Sequence, residues 1–255
     1  MERRGASRLA VILIVGAVGL SLIGVVAGEA AAQAKEEAGG AGKQNAKPAE
    51  EEMGGDYDPW EPFNDKMFTF NHDYLDVYVL KPAAKGYDVV VGDGEKQLIH
   101  NVFDFIGFPK RFVNSVLQGK WNGAGRELAR FVINATLGGA GMTDVAKYQF
   151  GIEKSDEDTG QTFGVWGWRQ SRYLVLPLVP PLTIRDGTGY LFDIAMDPIN
   201  YFIPFAGGVG RYVENTVNER ALNLETFESV EEGTLDLYSA VRNFYLRNRE
   251  KKIRE

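Results

Sequence analysis

Few residues in this 255-residue chain have the type and spacing that catalysis requires. The two histidines, His72 and His100, lie far apart in the sequence and outside any H-E-x-x-H pattern, so they predict no zinc site. No G-x-S-x-G motif marks a serine nucleophile, and no G-x-x-x-x-G-K-[ST] motif marks a phosphate-binding loop. The absence of cysteine excludes disulfides, thiolate metal sites and cysteine nucleophiles. We therefore predict a protein that is not an enzyme and uses no cofactor or metal.

Two segments resemble ligand-binding loops but lack the required context. Gly138-Gly139-Ala140-Gly141 follows a predicted helix rather than a strand, which argues against a dinucleotide site. Asp156-Glu157-Asp158 lacks the spaced ligands of a calcium loop and is typical of a solvated loop or a helix cap.

The net charge of the chain is -7, which does not indicate the basic face that nucleic-acid binding needs. We therefore predict no nucleic-acid partner.

The N-terminal part of the chain carries export signals. Three arginines precede an apolar run over residues 9–27, and the small residues after it fit the A-x-A pattern of a cleavage site. We predict a signal peptide over residues 1–34, with a retained membrane anchor as the alternative because the run is long enough to span a bilayer. Residues 35–57 are rich in Ala, Gly, Glu and Lys, which predicts a flexible linker. With no cysteine after the apolar run, we expect an exported protein that is not a lipoprotein.

The folded body, over residues 58–250, is predicted to be a single, mainly α domain. Asp58-Pro59-Trp60-Glu61 has the residues of a helix start, and apolar residues then recur at helical spacing from Phe63 to Tyr78. Lys81-Pro82 is expected to end or kink this helix. Further helical faces, mostly broken by Gly or Pro, cover residues 98–106, 112–117, 128–135, 190–194, 213–222 and 235–245.

Two further segments yield specific expectations. Residues 173–181 are apolar and contain several prolines, which predicts an edge strand or an irregular, hairpin-like ribbon. Residues 199–209 form another apolar segment, which is expected to be interrupted at Pro204, Gly207 and Gly208. The short, broken helices fit either an arrangement lying flat in a membrane interface or a compact soluble core. Periodicity does not distinguish these two arrangements.

Several sequence blocks, in this order, resemble the VacJ/MlaA family. The resemblance covers about residues 58 to 245. The blocks are Asp58-Pro59-Trp60-Glu61-Pro62-Phe63-Asn64, Phe70-Asn71, Leu75-Asp76, Lys81-Pro82, Phe112-Val113-Asn114, Leu117-Gln118-Gly119, Arg130-Phe131-Val132-Ile133-Asn134-Ala135-Thr136-Leu137-Gly138-Gly139, Asp144-Val145-Ala146, Thr159-Gly160-Gln161-Thr162-Phe163-Gly164, Leu174-Val175-Leu176-Pro177-Leu178 and Arg185-Asp186-Gly187.

The resemblance implies a ring of amphipathic helices around a channel, held at the periplasmic face of the outer membrane. It also implies non-enzymatic phospholipid transport that maintains lipid asymmetry: misplaced phospholipid leaves the outer leaflet and passes to a periplasmic lipid-carrier protein. A trimeric outer-membrane porin is the implied membrane partner. The family usually has a lipid-modified N-terminal cysteine, which this chain lacks. We therefore expect anchoring through interfacial helices and the porin.

The candidate lipid or channel residues are Asn64, Phe68, Asn71, Asn134, Gly138, Gly139, Gly141 and Arg185. The asparagines either line a polar channel wall or cap helices. The glycines allow either a flexible loop and close packing at the channel or a plain helix stop and turn. The phenylalanine contacts either acyl chains or the core, and the arginine either faces a phosphate or pairs with its neighbour Asp186. Two rival functions stay open: a membrane-associated periplasmic scaffold without a lipid channel, and a phospholipase.

Overall fold

The computed structural model describes residues 58–255, except for the side chains of Phe205 and Ala206. The predicted signal peptide (1–34) and linker (35–57) lie outside these residues. The described elements are α1 (Glu61–Thr69), a π-helix (Phe70–Leu80), α2 (Lys81–Val90), α3 (Asp93–Ile106), α4 (Phe108–Leu117), α5 (Trp121–Thr136), α6 (Val145–Phe150), α7 (Thr159–Val165), β1 (Tyr173–Leu174), β2 (Leu182–Thr183), α8 (Ile184–Met196), a 3-10 helix (Pro198–Tyr201), α9 (Phe205–Leu222), α10 (Leu224–Gly233) and α11 (Leu237–Arg254). The prediction of a mainly helical fold with a small hairpin-like segment is confirmed. The last helix continues past the predicted domain limit at residue 250.

The first helical segment does not end at Lys81-Pro82, contrary to one of the two outcomes expected from the sequence. Helical backbone continues from Glu61 to Val90, and only its hydrogen-bonding pattern changes, from α to π and back to α. The second change occurs at Lys81, which places Pro82 in the first turn of α2. Because helical backbone precedes it, Pro82 lies inside a continuous helix, and it is accommodated where the hydrogen-bonding pattern changes from π to α.

The other predicted helix boundaries agree with the structure more closely. Gly107 separates α3 from α4, and Pro109 lies in the first turn of α4. α8 ends at Met196, with Asp197 as its C-cap before Pro198, as expected, but it begins at Ile184, where the Thr183 side chain caps it. The expected break at Gly207 and Gly208 is wrong: α9 starts directly after Pro204, and both glycines lie inside it.

The predicted irregular ribbon is a very short hairpin. β1 and β2 pair antiparallel, with Tyr173 opposite Thr183 and Leu174 opposite Leu182. Two asparagines of the first helical segment hold the ribbon by donating hydrogen bonds to its carbonyl oxygens and accepting them from its amides. The ribbon therefore depends on side chains more than on a sheet ladder.

The buried apolar cluster is small for a chain of this size. It consists of Phe68, Tyr173, Val175, Tyr238 and Tyr245. α11 supplies two of its tyrosines and also contacts α7, while α7 packs along α8 and α4 along α5. Within residues 58–255, every helix is too short or too polar to cross a bilayer.

Candidate functional site

The interior of the described domain is unusually polar. The largest fully buried side chains include Gln161, Glu127, Asn64, Asn71, Asn114, Asn218 and Thr162. A buried polar group without a partner costs free energy, so such an interior is stable only where hydrogen bonds compensate for lost water. Most of these side chains have that compensation in hydrogen bonds to other parts of the chain, whereas the side-chain oxygens of Gln161 and Asn218 have no partner among the described residues.

Helix α5 shows how this interior is arranged. Glu127 is 0% exposed, and its neighbour Leu128 is 49% exposed. Glu127 accepts hydrogen bonds from Arg111 Nε at 2.8 Å and from the Ser155 amide at 2.6 Å. Arg130, also buried, donates to Asp144 at 2.7 Å. The helix therefore turns its polar side inward and leaves part of its apolar stripe at the surface.

A buried network of charges joins α3, α4 and α5. Asp104 lies between Arg111 and Arg130, at 3.3 and 3.4 Å, and Lys154 adds a third cation at 3.1 Å. Burial alone would raise the pKa of Asp104, but Arg111 and Lys154 hold that pKa well below its ordinary value. The carboxylate is therefore ionised and binds the three elements together.

Large apolar side chains occupy much of the outer surface. Phe70, Tyr74 and Tyr78 are exposed along the π-helix, with successive ring centroids 6.4 and 6.5 Å apart. The exposed set also includes Val89, Val90, Trp121, Val132, Leu137, Tyr148, Phe150, Trp166, Leu191, Phe192, Tyr201 and Phe202. A surface that meets lipid favours exposed aromatic and branched side chains of this kind.

A cavity of about 530 Å³ opens between α3, α4, α8, the 3-10 helix and α9. Its volume lies within the range of small-molecule sites, about 300–1,000 Å³. The lining residues are Phe103, Ile106, Gly107, Lys110, Tyr190, Asp193, Ile194, Met196, Asp197, Asn200, Ile203, Pro204, Gly208, Val209, Arg211, Tyr212 and Asn215. The cavity therefore combines apolar walls with charged groups of both signs.

Four charged side chains line the cavity, and only two of them form an ion pair with each other. They are Lys110, Asp193, Asp197 and Arg211. Arg211 is paired with Asp197 and also donates to Asn200 Oδ1 at 3.2 Å. Lys110 makes no ion pair with any residue that the structure describes, although its charge lowers the pKa of Asp193. Burial has the larger effect on Asp193 and raises its pKa. Lys110 and Asp193 therefore interact through their charges without forming an ion pair.

Two of the asparagines predicted from the sequence hold the ribbon. Asn64 donates to Asp58 at 2.8 Å and accepts from the Val175 amide at 2.9 Å. Asn71 donates to the Leu176 carbonyl at 2.8 Å and accepts from the Leu178 amide at 2.8 Å. Each also donates its second N–H, from Asn64 to the Tyr173 carbonyl and from Asn71 to the Val179 carbonyl, both at 3.2 Å. Both side chains are buried, and these bonds give them a structural role.

The third asparagine and the glycines form one corner of the fold. Asn134 donates to Asp144 at 2.9 Å and accepts from the Ala146 amide at 2.9 Å, which ties the end of α5 to the start of α6. Gly139 and Gly141 have positive φ angles of 61° and 88°. A Cβ on Gly138 would lie 2.3 Å from the Thr143 carbonyl oxygen, so this corner requires glycine for its tight turn.

Phe68 and Arg185 also lie inside the fold. Phe68 belongs to the buried aromatic cluster, where its ring packs edge-on against Tyr238. Arg185 is buried, pairs with Asp186 at 2.9 Å and donates to the carbonyl oxygens of Trp168 and Arg169. None of the eight residues proposed from the sequence lines the cavity within the described residues.

The cavity residues escaped the sequence analysis, although one signal pointed to them. Asp193 follows Tyr190-Leu191-Phe192 and precedes Ile194, so it is a single acid within an apolar helical stretch. A charge in that position requires either a partner or a function. Lys110 follows the break at Gly107-Phe108-Pro109 and carried no comparable signal.

One cluster in residues 58–255 has the atoms of a metal site. His72, Asp76 and Glu231 place ligand atoms within 4.8 Å of one another. Arg220, however, makes two hydrogen bonds to Asp76, at 3.0 and 2.9 Å, and Lys81 lies 3.6 Å from Glu231. These cations already neutralise the carboxylates, so the cluster fits an ion-pair network better than a metal site.

The fold and the sequence together connect this domain to known proteins. The family model described as MlaA lipoprotein matches residues 56–252, which include the whole cavity. The chain belongs to the MlaA family. A chain solved in work on the structural basis for maintenance of bacterial outer membrane lipid asymmetry has a TM-score of 0.69 at 28% identity, covering 77% of this chain and 99% of that chain.

Several curated proteins are similar to this MlaA-family chain over most of its length. The intermembrane phospholipid transport system lipoprotein MlaA of Haemophilus influenzae is 30% identical over 205 residues, covering 78% of this chain and 80% of that protein. The Escherichia coli protein of the same name is 28% identical over 190 residues, with 74% and 75% covered. An uncharacterised Rickettsia conorii protein is 31% identical over 198 residues, with 77% and 78% covered.

Proposed function

We propose that this protein transports phospholipid at the periplasmic face of the outer membrane and catalyses no reaction. The observation that carries the proposal is the cavity, which combines apolar walls with charged groups inside a domain whose outer surface is rich in exposed aromatic side chains. The names of the Haemophilus influenzae and Escherichia coli relatives, which describe intermembrane phospholipid transport, support it.

The cavity suits an amphipathic ligand. The apolar wall, which includes Ile106, Ile194 and Ile203, can contact the part of the acyl chains nearest the glycerol. Lys110 and Asp193 offer charges for a headgroup. A headgroup that enters such a site avoids the large cost of crossing hydrocarbon without polar partners. We propose that the helices form a ring around a channel and that this cavity is part of that channel.

The outer surface suggests how the domain is held. Short amphipathic helices with exposed aromatic residues bind in the plane of a membrane interface. Tyr201 and Phe202 are strongly exposed and follow Asn200 of the cavity lining, so contact with lipid there would bring the cavity to the membrane surface. We propose that these helices, together with a trimeric porin, anchor the domain in the inner leaflet without a lipid-modified cysteine.

The direction of transport and the receiving partner are part of the same proposal and rest on the family resemblance. Misplaced phospholipid leaves the outer leaflet through the cavity and passes to a periplasmic lipid-carrier protein, which maintains the lipid asymmetry of the membrane. The alternative is a membrane-associated scaffold or binding protein without its own channel. A phospholipase is a third candidate, but no observation in residues 58–255 favours it.

Reconstitution of the full chain with fluorescent phospholipid in donor vesicles and a lipid-binding acceptor separates these functions. Transport predicts faster loss of intact lipid from the donor, a scaffold predicts no change, and hydrolysis predicts lysolipid that accumulates with time.

A substitution in the cavity wall tests the route of the lipid. Gly208→Phe places a phenyl ring in the wall where nothing lies within 4 Å of the new Cβ, and it should slow transfer. Gly210→Phe is the matched control, because Gly210 has equal space but lies outside the lining. Equal transfer by both variants would contradict transport through the cavity.

A further inference from the structure

The buried acid of the cavity wall has one oxygen that is free for a ligand. Asp193 is 8% exposed, and its Oδ1 accepts from the Thr159 amide at 3.1 Å, the Thr159 hydroxyl at 2.6 Å and Asn114 Nδ2 at 3.4 Å. Its Oδ2 accepts no hydrogen bond from any residue that the structure describes. Asp193 also lines the cavity, so this unpartnered carboxylate oxygen belongs to the wall that would face a bound molecule.

A cation lies on the same cavity wall, where its charge reaches Asp193 without forming an ion pair with it. Lys110 is half-buried, lines the cavity and makes no hydrogen bond or ion pair through its ammonium within residues 58–255. The two remaining charges, Arg211 and Asp197, neutralise each other in an ion pair. Among the described residues, the wall therefore presents one positive and one negative group outside any ion pair, with no net charge among the four.

This pattern matches one class of headgroup. A phosphoethanolamine headgroup carries a negative phosphate and a positive ammonium joined by a two-carbon spacer, and it is neutral overall. A phosphoglycerol headgroup has the phosphate but carries hydroxyl groups in place of the ammonium, so it is an anion. Because burial disfavours an unpaired carboxylate, the Asp193 carboxylate gains most from a ligand that brings its own cation.

We propose that Lys110 and Asp193 form a headgroup site that selects zwitterionic phospholipid over anionic phospholipid, with the phosphate at Lys110 and the ligand ammonium at Asp193 Oδ2. The inference rests on the proposed transport of phospholipid and specifies its substrate class. It concerns residues that the sequence analysis did not single out.

The test measures the headgroup composition of bound lipid. The purified full-length protein is equilibrated with vesicles of equal parts phosphatidylethanolamine and phosphatidylglycerol, reisolated, and its bound lipids are quantified by mass spectrometry. We expect phosphatidylethanolamine to be enriched about fivefold, the factor that corresponds to one ion pair of about 1 kcal/mol. Inorganic phosphate in excess should displace neither lipid, because it lacks the ammonium and the acyl chains.

Two variants should shift the ratio in opposite directions. Asp193→Asn keeps an oxygen for the Thr159 bonds but removes the charge, so the enrichment should fall towards one while total bound lipid is largely retained. Lys110→Met should lower total bound lipid by about fivefold and raise the enrichment, because the remaining acid repels the anionic lipid. Lys66→Met is the matched control, since Lys66 is exposed on α1 and outside the cavity lining.

The outcomes separate the two proposals. If the wild-type protein binds lipid but neither variant changes the ratio, or if phosphate displaces both lipids equally, the headgroup site is wrong and transport survives. If the wild-type protein binds no lipid, the proposed function itself is contradicted. Circular dichroism checks that each variant is folded, and the Lys110 variant still tests the site if Asp193→Asn unfolds.

Discussion

The polar interior of α5 provides a sharp test of how this domain is built. Replacing Glu127 by alanine removes a carboxylate that is 0% exposed and bonded to Arg111 and to the Ser155 amide. The change leaves the Arg111 guanidinium and the Ser155 amide buried with one partner fewer each. Leu128→Ala, at the next position, is the control, since Leu128 is 49% exposed.

The expected magnitudes follow from burial. Breaking a buried ion pair by removing one partner costs about 3–5 kcal/mol when the other charge stays buried without compensation. Arg111 keeps Asp104 at 3.3 Å, so Glu127→Ala should lie at the lower end of that range, at about 3 kcal/mol. Truncating a leucine that is half exposed removes part of its burial free energy, about 1 kcal/mol or less. Glu127→Gln keeps an acceptor for the Ser155 amide but loses the charge, so it should lie between these values, at about 1–3 kcal/mol.

Urea unfolding of the purified variants in detergent micelles, followed by circular dichroism, gives the free energies of unfolding. We expect the order Glu127→Ala, Glu127→Gln, Leu128→Ala, from most to least destabilised, with similar m-values. An ordinary amphipathic helix with its apolar stripe inside would give the opposite order. If Leu128→Ala were the more destabilising change, the inward orientation of the polar side of α5 would be refuted.

Three further predictions concern other parts of the domain. Asn71→Ala should cost about 1–3 kcal/mol in unfolding free energy, because it leaves the Leu178 amide of the ribbon without its acceptor. Gly141→Ala should destabilise the domain more than Gly139→Asn in thermal unfolding, since a Cβ at Gly141 would lie 2.4 Å from Phe105 Cγ, whereas asparagine tolerates the φ of 61° at Gly139. The hydrogen bond to Glu219 raises the pKa of His100 above 6.5, so its stabilising effect is fully present below about pH 6.5 and is lost as pH rises through the raised pKa. Stability measured against a His100→Gln variant should therefore show a difference in acid that shrinks at alkaline pH, and a difference that grows would contradict the sign.

Local sequence signals were enough to predict much of the helical layout. Gly107 and Asp197-Pro198 end helices because glycine and proline act through the backbone of their own turn. Pro82 was harder to interpret, because its effect depends on the π-helical hydrogen bonding that precedes it. The breaks expected at Gly207 and Gly208 were wrong, since glycine weakens a helix without ending it when the packing of α9 against α2 and α3 compensates.

The orientation of the helices could not be predicted in the same way. The buried side of α5 is set by Arg111, Asp144 and Ser155, which come from other parts of the chain. Likewise, Asn71 bonds to residues more than a hundred positions away, so its structural use was not visible from spacing. The cavity depends on five separate elements, and only the isolated acid Asp193 hinted at it.

Photo-cross-linking from inside the cavity tests most directly whether phospholipid enters it. A small diazirine amino acid is placed at Val209, which lines the cavity, or at Val213, which is exposed one turn later on α9. The probe is a phospholipid radiolabelled in its headgroup, in vesicles that hold the full chain. We predict a labelled adduct at position 209 that Gly208→Phe abolishes. Labelling at position 213 but not at 209, in folded protein, would contradict passage of lipid through the cavity.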